Sequence, residues 1–212
     1  MTDASEDKME KDSEGYIGGN AIRQMFILAL LYLPLGFFLW FFAASLLMYP
    51  TQQLASLALT GFFPDVFSKI VQLDFYFEIQ TLVTLSQPVD GQAVALNIEV
   101  NPMIYAWGMA LLFGLMMATP LATKARVVQM IIGFLVVTLV TTWGVFWDTL
   151  TQLAFRSGPE AAVVARDLGL PMDMIALFYQ LGYLMLPAVI PVATWILLNR
   201  AFIEAHVIRK PH

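Results

Sequence analysis

The chain contains no cysteine. Disulfides, thiolate metal sites and a cysteine nucleophile are therefore excluded. Histidine is almost as scarce. Only His206 and His212 occur, both in the C-terminal tail and away from any embedded site, so no metal centre is expected. Charged residues make up 13% of the chain, against about 25% in an ordinary soluble domain. No basic stripe suggests nucleic acid, and no cofactor motif, internal repeat or low-complexity tract is visible. No Asp, Glu, Lys, Arg or His lies near the middle of any long apolar run. Such residues are the usual marks of proton relays, ion paths and embedded catalysis. The two halves also lack the matched, interrupted segments of inverted-repeat transporters. Pumps and secondary transporters are disfavoured on both counts.

Apolar residues are what the chain has in excess. They make up 59% of 212 residues, more than one soluble core of this size can hide, so lipid is the expected solvent. Four apolar runs have membrane length: Met25 to Met48, Met103 to Thr119, Val127 to about Trp147, and Met174 to Leu198. The first could be read as a signal peptide, with "AAS" at 43–45 as a weak cleavage signal. Its 24 apolar residues exceed a normal signal core and an acidic leader precedes it, so it is expected to remain as an anchor. The net charge of −5 owes much to Asp3, Glu6, Asp7, Glu10, Asp12 and Glu14, which read as a solvated head.

Orientation follows from Lys and Arg in the flanks. Lys8, Lys11, Arg23, Lys124, Arg126, Arg200, Arg209 and Lys210 fall on one side; Lys69, Arg156 and Arg166 fall on the other. Both termini are thus expected in the cytoplasm. The expected fold is an α-helical integral membrane protein with four transmembrane helices and a small extracytoplasmic β-hairpin subdomain between helices 1 and 2. The divisions are an acidic disordered cytoplasmic tail over 1–24, helix 1 over 25–48, and an amphipathic helix plus hairpin over 49–102. Helix 2 covers 103–120, a cytoplasmic turn 121–126, and helix 3 127–150. An outer loop with a short helix covers 151–172, helix 4 173–199 and a cytoplasmic tail 200–212.

Within 49–102, Leu54, Leu57, Ala58 and Phe62 recur near helical spacing up to Pro64 and predict an interfacial helix. Phe75, Phe77, Ile79, Val83 and Leu85 then share one face of a strand. Val94, Leu96, Ile98 and Val100 alternate with Ala93, Ala95, Asn97 and Glu99 in a second, and "SQPVDG" supplies the turn. A lone hairpin is marginal in water. Its apolar face must therefore rest on the 51–70 segment, on the membrane or on a partner, which makes Leu96 a candidate contact. In the second outer loop, Ser157 stands three residues before Glu160, at capping-box spacing.

The remaining candidates lie at interface depth. Asp148, in "LVTTWGVFWDTLTQ", sits at the outer end of helix 3, where an acid costs far less than at the bilayer centre. It is read either as a water-boundary residue paired with Arg156 or as a carboxylate offered to a partner. Trp143 and Trp147 flank it as an aromatic belt. Asn101 is the expected N-cap of helix 2, ahead of Pro102, with Tyr105 and Trp107 anchoring at the interface. Tyr179 and Tyr183 lie one turn apart on helix 4, as do Pro187 and Pro191, which should loosen the inner half of that span. Gln180 and the small residues Gly182 and Ala188 would allow interhelical hydrogen bonds and close helix approach. An aspartyl dyad of Asp148 with Asp173 is the weakest of these readings.

Four stretches taken together resemble the exosortase H-associated membrane proteins: "LPLGFFLWFF", "VNPMIYAWG", "WGVFWDTLTQLAF" and "YQLGYLMLPAVIPVATWILLNRAFI". The resemblance runs from about residue 27 to 203 and leaves out the acidic head. It implies a multi-pass protein of the bacterial inner membrane with an accessory role in exosortase-dependent protein sorting. Its expected partners are lipid and another membrane protein, an exosortase or its sorting-tail substrate. Exosortases are implied to use a cysteine with basic partners, and this chain has no cysteine, so it is not expected to be the exosortase itself. Embedded runs bare of ionisable groups and a hairpin that needs a surface favour a non-catalytic accessory protein. The alternatives are a structural subunit of an unrelated membrane complex and an interfacial enzyme using Asp148 with Asp173 or Tyr105.

Overall fold

Helix-forming apolar sequence continues through both Pro34 and Pro50, so the first element is far longer than one span. The computed structural model describes residues 3–84 and 95–204. Helix α1 (Asp3–Phe62) is one uninterrupted element. Its backbone is already helical in the acidic head, where a disordered tail was expected. It also absorbs the segment predicted as a separate interfacial helix. The buried face there is Thr51, Gln52, Ala55 and Leu59, whereas Leu54, Leu57 and Phe62 are exposed. The predicted stripe therefore points outward, toward solvent or lipid.

The expected hairpin is a three-stranded antiparallel sheet, β1 (Phe67–Leu73), β2 (Tyr76–Thr84) and β3 (Ala95–Val100), in the order β1-β2-β3. The last two strands match the predicted alternation at Phe77, Ile79, Val83, Ile98 and Val100, all buried, whereas Phe75, expected on the same face, is exposed in the turn before β2. The predicted turn and Leu85 lie outside the described residues. Strand β1 was not anticipated. Its register shifts between Phe67 and Lys69, so its inward residues Phe67 and Ile70 stand three apart and mimic helical spacing. Asp74 closes the β1–β2 turn at φ 51°, a conformation that Asp tolerates better than most residues.

The sheet's apolar face joins Met48, Ala55 and Leu59 of α1 and Leu150 and Leu153 of α4 (Thr123–Phe155) in one core. Glutamine amides fasten it to the helices. Gln52 Nε2 donates to Ile70 O (2.7 Å), Gln72 Nε2 to Ser45 O (2.7 Å) and Gln152 Nε2 to Glu99 O (2.9 Å). The sheet therefore rests on its own chain. Leu96 is half-buried and packs against the same core, so it is no free contact.

After the sheet come α2 (Met103–Ala106) and α3 (Gly108–Ala118). Following α4 are α5 (Pro159–Asp167), α6 (Met172–Gln180), a π-helical turn (Leu181–Met185), α7 (Leu186–Leu198) and α8 (Arg200–Ile203). Helix α5 is capped by Gly158 in the left-handed region (φ 97°) rather than by Ser157, with Pro159 at its first position. Paired positions show how the columns run. Gly36 meets Ala110 and Gly114 meets Leu33, so α1 and α3 are antiparallel. Gly133 meets Leu112 and Gly144 meets Tyr105, so α2–α3 and α4 are antiparallel too. Gly182 lies against Trp143, while Gln129 Nε2 donates to Leu198 O (3.1 Å), which reverses the direction once more. The result is four columns of alternating direction.

Three of these columns are long and apolar enough to cross a membrane: Arg23–Phe62, Thr123–Phe155 and Met172–Leu198. The expected second span is the exception. Met103–Ala118 gives roughly 24 Å of helix at 1.5 Å per residue, short of the roughly 30 Å hydrocarbon layer. Pro102 and the Thr119–Pro120 step limit it at both ends. In the last column, Pro187 cannot donate a backbone hydrogen bond. The turn before it widens so that Leu186 N–H reaches Leu181 O. Pro187 and Pro191 are both buried, packed on Gly108.

A side-chain carbon at Gly144 would lie 2.3 Å from the Tyr105 ring, whereas one at Gly61 would meet nothing within 4 Å. Gly144→Ala is expected to destabilise by about 1–3 kcal/mol through overpacking. Gly61→Ala should instead gain roughly 0.5–1 kcal/mol. Thermal unfolding of both variants in detergent checks the pair, and equal midpoints would refute the close approach.

Candidate functional site

The polar residues of the sheet-bearing end converge where α2, α4 and the π-turn meet. Asn101 Oδ1 accepts the Met103 N–H (3.0 Å), and Pro102 already has helical φ and ψ. Asn101 is thus an N-cap with Pro at the first helical position, as its sequence suggests. This cap fixes the entry of α2 and delivers Tyr105, which is 1% exposed, onto Gly144.

From there the Tyr105 hydroxyl reaches the Asp148 carboxylate. Asp148 is 5% exposed, enclosed by its neighbours. Gln152, one turn further along α4, donates through Nε2 to Asp148 Oδ1 (3.3 Å) as well as to Glu99 O. The exposed Arg156 guanidinium adds a favourable charge and lies 5.7 Å from the centre of the Tyr179 ring. That ring stacks on Tyr183 (5.9 Å, 9°), and Tyr183 in turn meets Tyr105 edge-on (6.5 Å). A buried acid needs partners of this kind. Asp148 therefore works as an internal tie that holds the tyrosines and the end of β3 in place. Tyr183, 46% exposed, is where the cluster reaches the surface.

The two tryptophans also differ from the predicted belt. Trp147 is buried, and Trp143 donates through Nε1 to Phe178 O (3.2 Å). Both rings pack on Phe178, at 5.2 and 4.8 Å. On their other side they line an open apolar groove of about 420 Å³ with Phe62, Phe63, Phe146 and Leu170. Trp107 stands apart, half-buried at the break between α2 and α3. Asp173 is exposed, while the groups that reach Asp148 are Tyr105, Gln152 and Arg156. The structure thus gathers Asp148, Tyr105, Tyr179 and Tyr183 and leaves Asp173 outside. Sequence reasoning passed over Gln152, although its position four residues after Asp148 on one helix was a usable signal. Among the described residues no group of acids and histidines could hold a metal ion; His206 and His212 lie outside that range.

Comparison with known protein families gives a match that spans most of the chain. The exosortase H-associated membrane proteins match residues 19–202. The chain belongs to that family. No curated protein and no solved structure matches it. The family match begins beyond the acidic residues of the head and takes in the sheet, the Asp148 cluster and every apolar column. Association with exosortase is what the family's name records, and the long apolar helices fit a membrane protein of a sorting system.

The tie at Gln152 carries a direct expectation. Gln152→Ala removes the donor that holds Glu99 O and should weaken the β3 contact by about 1 kcal/mol. Faster amide hydrogen exchange at Ile98 and Val100, with α3 unchanged, is the expected reading. Unchanged exchange in β3 would mean that the sheet does not depend on this bond.

Proposed function

We propose that this protein is a non-catalytic accessory subunit that binds an exosortase, or its sorting-tail substrate, at the outer face of the bacterial inner membrane. The observation that carries this reading is the pairing of two surfaces at the sheet-bearing end, in a chain of this family. One is the apolar groove beside Trp143 and Trp147; the other is the Tyr183 edge of the polar cluster. The groove suits an apolar segment arriving within the membrane, and the tyrosine edge offers an aromatic surface with a nearby cation, Arg156. Asp148, Tyr105, Asn101 and Tyr179 act from behind by positioning that surface. Trp107 and Leu96 contribute to packing.

The reading includes four membrane crossings with both termini in the cytoplasm. The alternating columns and the Lys and Arg bias support it. The short Met103–Ala118 column crosses among its neighbours, where flanking polar residues reach the interface. Because the chain has no cysteine, single cysteines introduced at Ser157 and Lys124 can be labelled cleanly in intact spheroplasts. A membrane-impermeant maleimide should label position 157 and spare 124; the reverse pattern would overturn the orientation.

The binding claim is tested by tagged purification from native membranes in mild detergent. Wild type should bring down an exosortase in stoichiometric amount. Phe62→Glu and Tyr183→Ala change exposed side chains and should leave insertion intact while weakening recovery about tenfold, equivalent to ~1.4 kcal/mol. Full recovery with both variants would sink the proposed surfaces. Recovery of a different complex would favour a structural subunit elsewhere. Substrate turnover by the purified protein alone, abolished in Asp148→Asn, would establish the interfacial enzyme instead.

A further inference from the structure

The sheet packs along α1 in such a way that its β1–β2 turn comes back to the level of the apolar run. Gln72, near the end of β1, donates to the Ser45 carbonyl. Beyond it, the Phe75 ring stacks on Phe41 (5.7 Å, 21°). Phe41 is 50% exposed and belongs to a row of outward rings with Phe38 and Phe42, inside the apolar span Arg23–Phe62. Side chains of that kind face acyl chains. A ring in stacking contact with Phe41 lies at the same depth.

The turn itself has the matching chemistry. Leu73, Phe75 and Tyr76 are 51%, 39% and 51% exposed, three large apolar or aromatic side chains within four residues that the chain does not cover. A concentrated patch of this type marks an interaction surface, and continuity with the Phe38–Phe42 row says what covers it. Asp74 sets the limit of insertion. It is exposed at the apex, and its carboxylate must stay hydrated, which suits the boundary between headgroups and acyl chains. A tyrosine at that boundary keeps its ring apolar and its hydroxyl wet.

We propose that the β1–β2 turn is a lipid-contacting element. Leu73, Phe75 and Tyr76 enter the leaflet on the sheet's own side of the bilayer, next to Phe41, with Asp74 at the headgroups. The occupant of this surface is phospholipid. The sheet is then held to the membrane at its tip as well as to α1 and α4 along its body, whatever partner the protein serves.

The test uses the full-length protein in phosphatidylcholine vesicles. Single cysteines at Phe75, Leu73 and Tyr76 are labelled with an environment-sensitive fluorophore. Phe38→Cys serves as the lipid-facing reference, and Asn97→Cys, exposed on β3, as the aqueous one. The expected result is a blue-shifted probe at 75, 73 and 76. Lipids spin-labelled high in the acyl chain should quench it about as strongly as the probe at 38, and aqueous iodide should lose its effect. Quenching by iodide equal to that at 97 would overturn the proposal. A probe reached by neither quencher would overturn it too, because protein would then cover the patch. If loss of the Phe75–Phe41 stack disturbs the sheet, the labels at 73 and 76 decide the matter with Phe75 intact.

Discussion

The Tyr105 ring can lie on α4 only because residue 144 carries no side chain, and much of the sheet-bearing end follows from that seat. With the ring pressed onto Gly144, the hydroxyl is carried to Asp148, and the edge of the ring meets Tyr183. Three columns are thereby brought to one point. In lipid, where apolar contact gives little preference for protein over solvent, helix association depends on close packing and internal hydrogen bonds. Gly144 supplies the first and the Tyr105 hydroxyl on Asp148 the second. The acid survives burial because a hydroxyl, an amide and a nearby guanidinium surround it.

The same logic governs the sheet. An isolated three-stranded sheet has only one apolar face, and here amide side chains seal it to the helices. Gln52, Gln72 and Gln152 each spend a donor on a main-chain carbonyl of the opposing element. Backbone groups at such a junction need partners that the ladder does not provide. Long, neutral amides can supply them without bringing charge to the edge of the membrane. The sheet is thereby continuous with the bundle, and a partner would meet one body at this end.

Much of this was readable in the residues. The period-two pattern of Phe77 to Val83 and of Leu96 to Val100 is unambiguous, and the apolar runs give their own lengths. Asn101 before Pro102 marked a helix start correctly. What escaped did so for physical reasons. A bulge in β1 moved its inward residues out of period two. Helix 1 was expected to end at Met48, yet α1 runs on through Pro50, where a missing backbone donor can kink a helix without ending it. For Trp143, Trp147 and Asp148, composition suggested a depth but could not give a direction. Only the fold reveals that they turn inward, against Phe178 and Tyr105. Leu96 shows the same limit: an apolar strand residue indicates that something covers it without saying what.

The length of α4 has a mechanical meaning. Its 33 residues make a rod roughly 50 Å long, well beyond the roughly 30 Å of hydrocarbon. Asp148 stands about 38 Å along that rod from Thr123. α4 therefore acts as a gauge with the tyrosine edge and the sheet mounted near its far end. The tilt of one stiff rod sets how far they stand from the bilayer midplane. In the proposed crossing, a thicker bilayer seats them deeper and a thinner one raises them, so membrane thickness becomes a variable in what the protein can touch.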